Sequence, residues 1–393
     1  MAQGLDKDVT IIHLISSSGF FGAEHVVTNL SKATINLPNH HSKILVFCIC
    51  RDEESIAAFA DSLNQQANIE FHTLPLNLNQ ALGKIRQVLT PILNASARES
   101  SGTNIMVHTH GYKELIWAHV LRIWFKFPIV NTQHGFINNS LKGKAYNLLG
   151  ILACRSPLVK RVYCVTDAIR KIYLGHGIKS NKLVIFPNAI PLDSQQSSDI
   201  STEENKTTLV FVGRLSKEKN PLLFLRVVQE LIHTNQSIQA LIIGEGPLAA
   251  EVDAYIKTHQ LHPYIKCLGF RNDAKAIIAK ADILAITSTT EGIPLVALEA
   301  MATNTLIVST AVGGMCELLK PINHNLTGVL VKVEDKTSAQ LAKDFAHSCK
   351  NLLSNAVLQQ QISKAARNKI EREHSIGLQA ETLLQTYRQL AVG

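Results

Sequence analysis

The stretch Glu291-Gly-Ile-Pro-Leu-Val-Ala-Leu-Glu299 sets two carboxylates eight positions apart across a loop-to-helix junction. The residues before it, Asp282-Ile-Leu-Ala-Ile-Thr-Ser288, read as a buried strand and a small polar turn. Gly292 permits the sharp turn. Pro294 suits the first helical position, where a missing N–H is no loss. The free N–H groups of Leu295, Val296 and Ala297 then face a ligand, and the helix dipole favours an anion there. Ile293, between the turn and the helix, belongs to the same mouth. Glu299 lies roughly 7.5 Å beyond Pro294 at helical rise. One carboxylate on each flank of an anion suits hydroxyls on both sides of a phosphate. A nucleotide sugar has that layout. Either acid read alone is equally well a solvated loop or helix residue, so the surrounding chain has to decide.

Short β-branched runs alternate with amphipathic stretches on both sides of this motif. In the first half, strands are expected at 9–16, 43–50, 69–74, 104–108, 129–132, 162–165 and 183–186. Helices are expected to start near Gly22, Glu53, Asn79, Tyr112 and Ser140. Such alternation predicts a parallel sheet with helices on both faces. The polar stretch 193–207 has no apolar periodicity and reads as a linker. A second series follows, with strands at 209–213, 238–243, 265–268, 283–285, 306–309 and 329–333. The expected fold class is α/β, with two doubly wound Rossmann-like domains facing a cleft. Residues 1–195 form the first domain and 196–375 the second. The last helix, about 376–393, crosses back onto the first. Ligands are expected where the C-terminal ends of strands face the cleft.

The chain has 393 residues, 46% hydrophobic and 18% charged, which is ample for sizeable cores and excludes a disordered protein. Its seven cysteines form no CxxC pair and lie mostly in apolar runs, as expected of reduced thiols in the cytoplasm. No export signal and no apolar run of membrane-spanning length are visible. The formal net charge is +8, and the excess is local. Residues 111–182 hold twelve Lys and Arg against two acids, Glu114 and Asp167, with Trp117, Trp124, Phe125 and Phe127 among them. A basic face of this kind suits an anionic lipid surface, a phosphorylated acceptor or nucleic acid, or is simply solvated.

Other glycine- and charge-bearing turns follow strands. Val212-Gly-Arg-Leu-Ser-Lys-Glu-Lys-Asn-Pro221 brings Arg214 and Lys219 to a strand end, where two cations can hold a diphosphate, although read alone it is an ordinary surface loop. Ile243-Gly-Glu-Gly-Pro247 supplies a tight turn through Gly244, Glu245 and Gly246 that can approach a base or ribose, and lacks the third glycine of a dinucleotide fingerprint. Gly313-Gly314 lets backbone approach a ligand, with Glu317 in the helix beyond. Gly22 opens a helix after strand one. His134, at the end of Asn131-Thr-Gln-His134, can bond a sugar hydroxyl or help carry charge, and read alone is equally well a structural histidine bonded to nearby backbone. His108 and His110 are expected on opposite faces of their strand, and without a third ligand they make a poor metal site.

Taken jointly, these motifs resemble the retaining glycosyltransferases of family 4, with their two-Rossmann GT-B architecture. The matching residues are GFFGAE at 19–24, HTHG at 108–111, QHG at 133–135, VGRLSKEKN at 212–220, GEGP at 244–247, EGIPLVALEA at 291–300 and GG..E at 313–317. The resemblance implies that Arg214 and Lys219 bind the donor diphosphate and stabilise the leaving nucleotide. It implies that Glu291 holds donor-sugar hydroxyls, Glu299 the ribose, and that Gly22 approaches phosphate or sugar. His134 matches the family's active-site histidine. The chain departs from the pattern at Phe21-Gly22, where many relatives have Gly-Gly. It departs again at Thr303-Asn304-Thr305, where Asn304 can still adopt the left-handed cap.

The expected activity is transfer of a sugar from a nucleoside diphosphate sugar to a glycan or lipid-linked acceptor hydroxyl, in cell-surface polysaccharide synthesis. No cofactor, metal or nucleic acid is expected. The expected location is cytoplasmic, peripheral at the inner membrane face. A nucleotide-sugar 2-epimerase shares the architecture and is the alternative. A dinucleotide oxidoreductase lacks its fingerprint, and a binding protein without turnover is the third reading.

Overall fold

The computed structural model describes residues 9–391, except 18, 20, 21, 39–41, 99–103, 135–140, 193–205 and 234–236. Gly135, Phe20, Phe21 and nearly all of the expected linker lie outside the described residues. The chain divides into two compact units, 1–191 with 375–393, and 192–374.

Unit 1 carries seven strands: β1 Val9–Ser16, β2 Ile44–Ile49, β3 Ile69–Leu74, β4 Asn104–Thr109, β5 Ile129–Gln133, β6 Val159–Cys164 and β7 Leu183–Ile185. They pair in parallel in the order β3-β2-β1-β4-β5-β6-β7. β2 is an unbroken apolar run buried along its whole length, as expected of a parallel strand covered on both faces, while the edge strand β3 alternates and is half-buried. The two-residue period of a strand sends Ile12 and Leu14 of β1 into one core and Val9, Ile11 and Ile15 into another. The second of these cores is completed by the helix Ile376–Ala391, which buries Ala380, Leu383, Leu384 and Tyr387 there.

Unit 2 carries six: β8 Thr207–Val212, β9 Ile238–Ile243, β10 Ile265–Gly269, β11 Ile283–Ile286, β12 Leu306–Thr310 and β13 Val329–Val331. Their order is β10-β9-β8-β11-β12-β13, again parallel. The order reverses between β8 and β11, so the loops after those strands diverge and leave a crevice at their C-terminal ends. Arg214 and Lys219 follow β8, and Glu291 follows β11.

The helix Asp167–Gly175 is additional to those expected from the sequence. Its start is marked locally: the Thr166 side chain accepts from the Ile169 N–H, and Asp167 lies in the first turn.

Candidate functional site

The loop after β11 is anchored before its carboxylate is placed. The Thr289 N–H donates to the Glu218 carbonyl at 2.8 Å, and Thr287 Oγ1 donates to the Lys219 and Asn220 carbonyls at 3.2 and 3.1 Å. These bonds fasten the loop after β8 to the loop after β11. Thr310 Oγ1 donates to the Ser288 carbonyl at 2.6 Å, and the Gly314 N–H to the Glu291 carbonyl at 2.9 Å. Gly313 is required here. Its φ is +45°, and an added Cβ would stand 2.1 Å from the Glu291 carbonyl oxygen. The paired glycines therefore let backbone approach the Glu291 loop, where the sequence suggested approach to a ligand.

Lys219 and Glu291 meet across this junction. Lys219 Nζ donates to both Glu291 carboxylate oxygens, at 2.7 and 2.8 Å, and Ser288 Oγ donates to Oε1 at 2.5 Å. The Glu291 side chain is 7% exposed and Lys219 25%. A carboxylate so enclosed needs its charge-assisted partners. Arg214 stands exposed at the end of β8.

Pro294 is the N-cap of the helix Leu295–Ala302, with ψ 137°, one position earlier than the sequence reading placed it. Its fixed φ suits the extended cap as well as a first turn. The Ala297 N–H donates to the Pro294 carbonyl at 3.1 Å, so Leu295 and Val296 supply the first-turn donors without a helical partner. Ile293 is buried beneath the turn. Glu299, half-buried on the same helix, has its carboxyl raised above the ordinary range by burial, opposed by Lys275. The helix ends at Thr303, Asn304 has φ 64°, and the Thr305 N–H caps Ala300 at 2.9 Å.

The 244–246 turn is also a backbone contact. Gly244 has φ +127°, and a Cβ there would stand 2.1 Å from the Gly213 carbonyl oxygen; one at Gly246 would stand 2.5 Å from that of Leu215. The Leu215 N–H donates to the Glu245 carbonyl at 2.9 Å. These glycines press one strand-end loop against the next. Glu245 itself is exposed, and Oε1 accepts from the Phe270 N–H at 3.4 Å.

In unit 1, Gly22 opens the helix Gly22–Ile35, with open space where its Cβ would be. His134, just past β5, is half-buried, and burial holds its pKa down to about 4. His108 and His110 lie on one side of the sheet, not two: their rings stack with centroids 4.2 Å apart, as residues i and i+2 of a strand require. His13 of β1 supplies a third imidazole, and ring nitrogens of the three lie within 4.8 Å of one another. That corrects the expectation of an unaccompanied HxH pair. The set is internally bonded. His13 Nδ1 meets His110 Nε2 at 2.9 Å, and His108 meets the Tyr387 and Thr132 hydroxyls at 2.5 and 2.6 Å. A cation would displace these bonds.

Of the aromatic residues in the basic segment, Trp117 and Phe127 belong to the core and Phe125 packs against it. Trp124 is 47% exposed. Some of the cations are tied down as well: Arg155 binds the His176 carbonyl, Lys182 the Ser156 carbonyl at 2.6 Å, and Asp167 pairs with Arg170 and Lys171.

Two Rossmann-like parallel-sheet units, with charged strand-end loops meeting at a helix mouth in the second, are the elements of the GT-B architecture. Residues 21–194 match the model for Glycosyltransferase Family 4, and residues 193–369 that for Glycosyl transferases group 1. The chain belongs to the family 4 glycosyltransferases. It is 26% identical over 306 residues, 73% of its own length and 76% of the relative's, to the UDP-Gal:alpha-D-GlcNAc-diphosphoundecaprenol alpha-1,3-galactosyltransferase of Escherichia coli. It is 29% identical over 249 residues to the GalNAc-alpha-(1->4)-GalNAc-alpha-(1->3)-diNAcBac-PP-undecaprenol alpha-1,4-N-acetyl-D-galactosaminyltransferase of Campylobacter jejuni, covering 60% of this chain and 64% of that one. Among solved structures, Anabaena HepE in complex with UDP superposes with a TM-score of 0.75 at 18% identity, over 97% of this chain and 100% of that one. The Escherichia coli and Campylobacter jejuni relatives are transferases, and they do not favour the epimerase alternative.

Proposed function

We propose that unit 2 binds a nucleoside diphosphate sugar and that the enzyme transfers its sugar, with retention, to a lipid-linked glycan acceptor. The observation that carries this reading is the enclosed Lys219–Glu291 pair beside the mouth of the Leu295–Ala302 helix. An incoming diphosphate competes with the Glu291 carboxylate for Lys219. Arg214 and the Leu295 and Val296 N–H groups complete its cradle. Glu291, released from Lys219, then accepts from hydroxyls of the donor sugar, and Glu299 from the ribose. As the glycosidic bond breaks, charge develops on the departing phosphate oxygen, where Arg214 and Lys219 stabilise it. The leaving phosphate takes the acceptor proton, and the protein's own cations serve in place of a divalent metal. His134 serves the transferred sugar.

Two relatives that act on undecaprenol-linked substrates support the acceptor class. The helix Leu141–Cys154 supports a membrane-surface location, since it exposes Tyr146, Leu148, Leu149 and Leu152 at 41, 50, 53 and 43%. Among the described residues no helix is long and apolar enough to cross a membrane.

A thermal-shift screen against UDP-, GDP- and ADP-sugars tests the donor site, since a ligand that prefers the folded state raises its apparent stability. One class of donor is expected to stabilise the wild type and fail to stabilise Lys219→Ala. Stabilisation of that variant to the same extent overturns the assignment. Flotation with anionic vesicles tests the surface: Leu148→Glu/Leu149→Glu is expected to abolish binding while turnover with a soluble acceptor persists.

A further inference from the structure

Unit 1 contains a line of imidazoles that donor binding in unit 2 leaves unexplained. Parallel pairing of β1 with β4 sets His13 opposite His108, and the His110 N–H donates to the Leu14 carbonyl at 2.9 Å. β5, the next strand, ends just before His134. The result is a chain of side-chain bonds. His13 Nδ1 meets His110 Nε2 at 2.9 Å, and His110 Nδ1 meets His134 Nε2 at 3.3 Å. His110 therefore spends both ring nitrogens on other histidines. His13 is 1% exposed and His110 6%. Burial lowers the pKa of all three, and for His110 the neighbouring imidazoles add to it, so the chain is neutral at physiological pH.

A neutral imidazole has one N–H donor and one bare acceptor nitrogen. Each link needs one of each. Three rings joined through Nδ1-to-Nε2 links have two neutral arrangements. In one, His13 Nδ1–H donates to His110, and His110 Nδ1–H donates to His134, which keeps its own proton on Nδ1. In the other, His134 Nε2–H donates to His110, and His110 Nε2–H donates to His13, which leaves His134 Nδ1 bare. Mixed arrangements place two N–H groups or two lone pairs face to face in a buried site, where unmade bonds are most expensive.

We propose that His110 and His13 are positioning residues that fix which nitrogen of His134 carries its proton, so that all three histidines share one tautomer. The other ring nitrogen of His134, Nδ1, is thereby set as a donor or an acceptor from two residues away. His108 braces the line without joining it. Its nitrogens bond the Tyr387 and Thr132 hydroxyls, while its ring stacks on His110 at 4.2 Å. The catalytic consequence rests on His134 serving the transferred sugar; the shared tautomer does not.

Long-range ¹⁵N–¹H correlation spectra of the imidazoles in the full-length wild type give the direct test. His13, His110 and His134 are expected to be all Nδ1–H or all Nε2–H. Different tautomers at any two of them overturn the proposal, whatever the enzyme's substrate proves to be. His13→Phe removes the far end without touching His134. It is expected to alter the His134 ¹⁵N pattern and to lower kcat by about tenfold to a hundredfold, taking the range for outer partners of metal-bound histidines as the guide, with donor KM within about twofold. His110→Gln, whose amide can donate and accept, is expected to recover part of that loss relative to His110→Phe. An unchanged His134 spectrum and unchanged kcat in a folded His13→Phe overturn the proposal. So does uptake of one equivalent of Zn²⁺ by the wild type that displaces all the histidine signals, which would make His13, His108 and His110 a metal site.

Discussion

The two units meet the same demand, polar groups held ready at the strand ends of an α/β sheet, by opposite means. In unit 2 the ready groups are fully charged, and Lys219 and Glu291 neutralise each other while strand-end backbone fixes them in place. In unit 1 they are neutral: burial keeps the histidines uncharged, and they bond one another. A charged pair suits the handling of an anion, because the anion can replace one partner. A neutral row suits proton placement, because no charge has to be stabilised. The contrast shows that the units differ in chemistry even though their sheets share a winding pattern.

The contrast breaks most sharply at the ion pair. Lys219→Ala or Glu291→Ala should lower turnover by about 10²–10³, the scale for removing one group that stabilises developing charge, and steady-state assays with the folded variants read it. Wild-type rates from both would remove the anion-handling half of the comparison. Gly313→Ala should cost about 1–3 kcal/mol, since the left-handed backbone and the Glu291 carbonyl both oppose a Cβ. Denaturant melts read that loss, and donor affinity should fall with it because the Glu291 loop must move.

Acid should discriminate between the units. Burial holds His13, His108, His110 and His134 below their ordinary pKa. The unfolded chain binds protons near pH 6.5 that the native chain refuses, so their stabilising effect is present above about pH 6.5 and is lost as pH falls toward 4. The melting temperature of unit 1 should drop across that window, and His110→Phe should flatten the slope. The smallest effect belongs to a terminus. Thr337 and Gln340 form a reciprocal capping box at the helix Ser338–Leu353, and Thr337→Ala should destabilise unit 2 by about 1 kcal/mol, read as a shifted denaturation midpoint with unchanged turnover.

Strands were the most legible part of the chain. β1, β3 and β9 lie at the expected bounds: β9 is buried along its whole length, as a central parallel strand is, while the edge strand β3 is marked by alternation, with Glu70 and His72 partly exposed between Ile69, Phe71 and Leu74. Helix termini were less legible. Pro294 satisfies the dihedral needs of a cap and of a first turn alike, so its residue type does not choose between them. The Asp167–Gly175 helix is short, and its amphipathic face is overlain by the cation-rich composition around it. Contacts were least legible. Lys219 and Glu291 are 72 residues apart, and nothing in either neighbourhood announces the other. His13 lay hidden in an otherwise apolar strand. Gly313 and Gly244 were visible as special glycines, but their partner was backbone, which a sequence does not reveal.

Unit 1 is assembled from two stretches of chain with all of unit 2 between them. On the ribosome its closing layer therefore emerges late. At about 5–20 residues per second, roughly ten to forty seconds of synthesis separate the seventh strand from the final helix. Throughout that interval the face that Tyr387 will cover, with Val9, Ile11 and His108 in it, stays open to solvent or to a chaperone. Unit 2 ends at His374, two residues before that helix begins, so the two units are completed almost together.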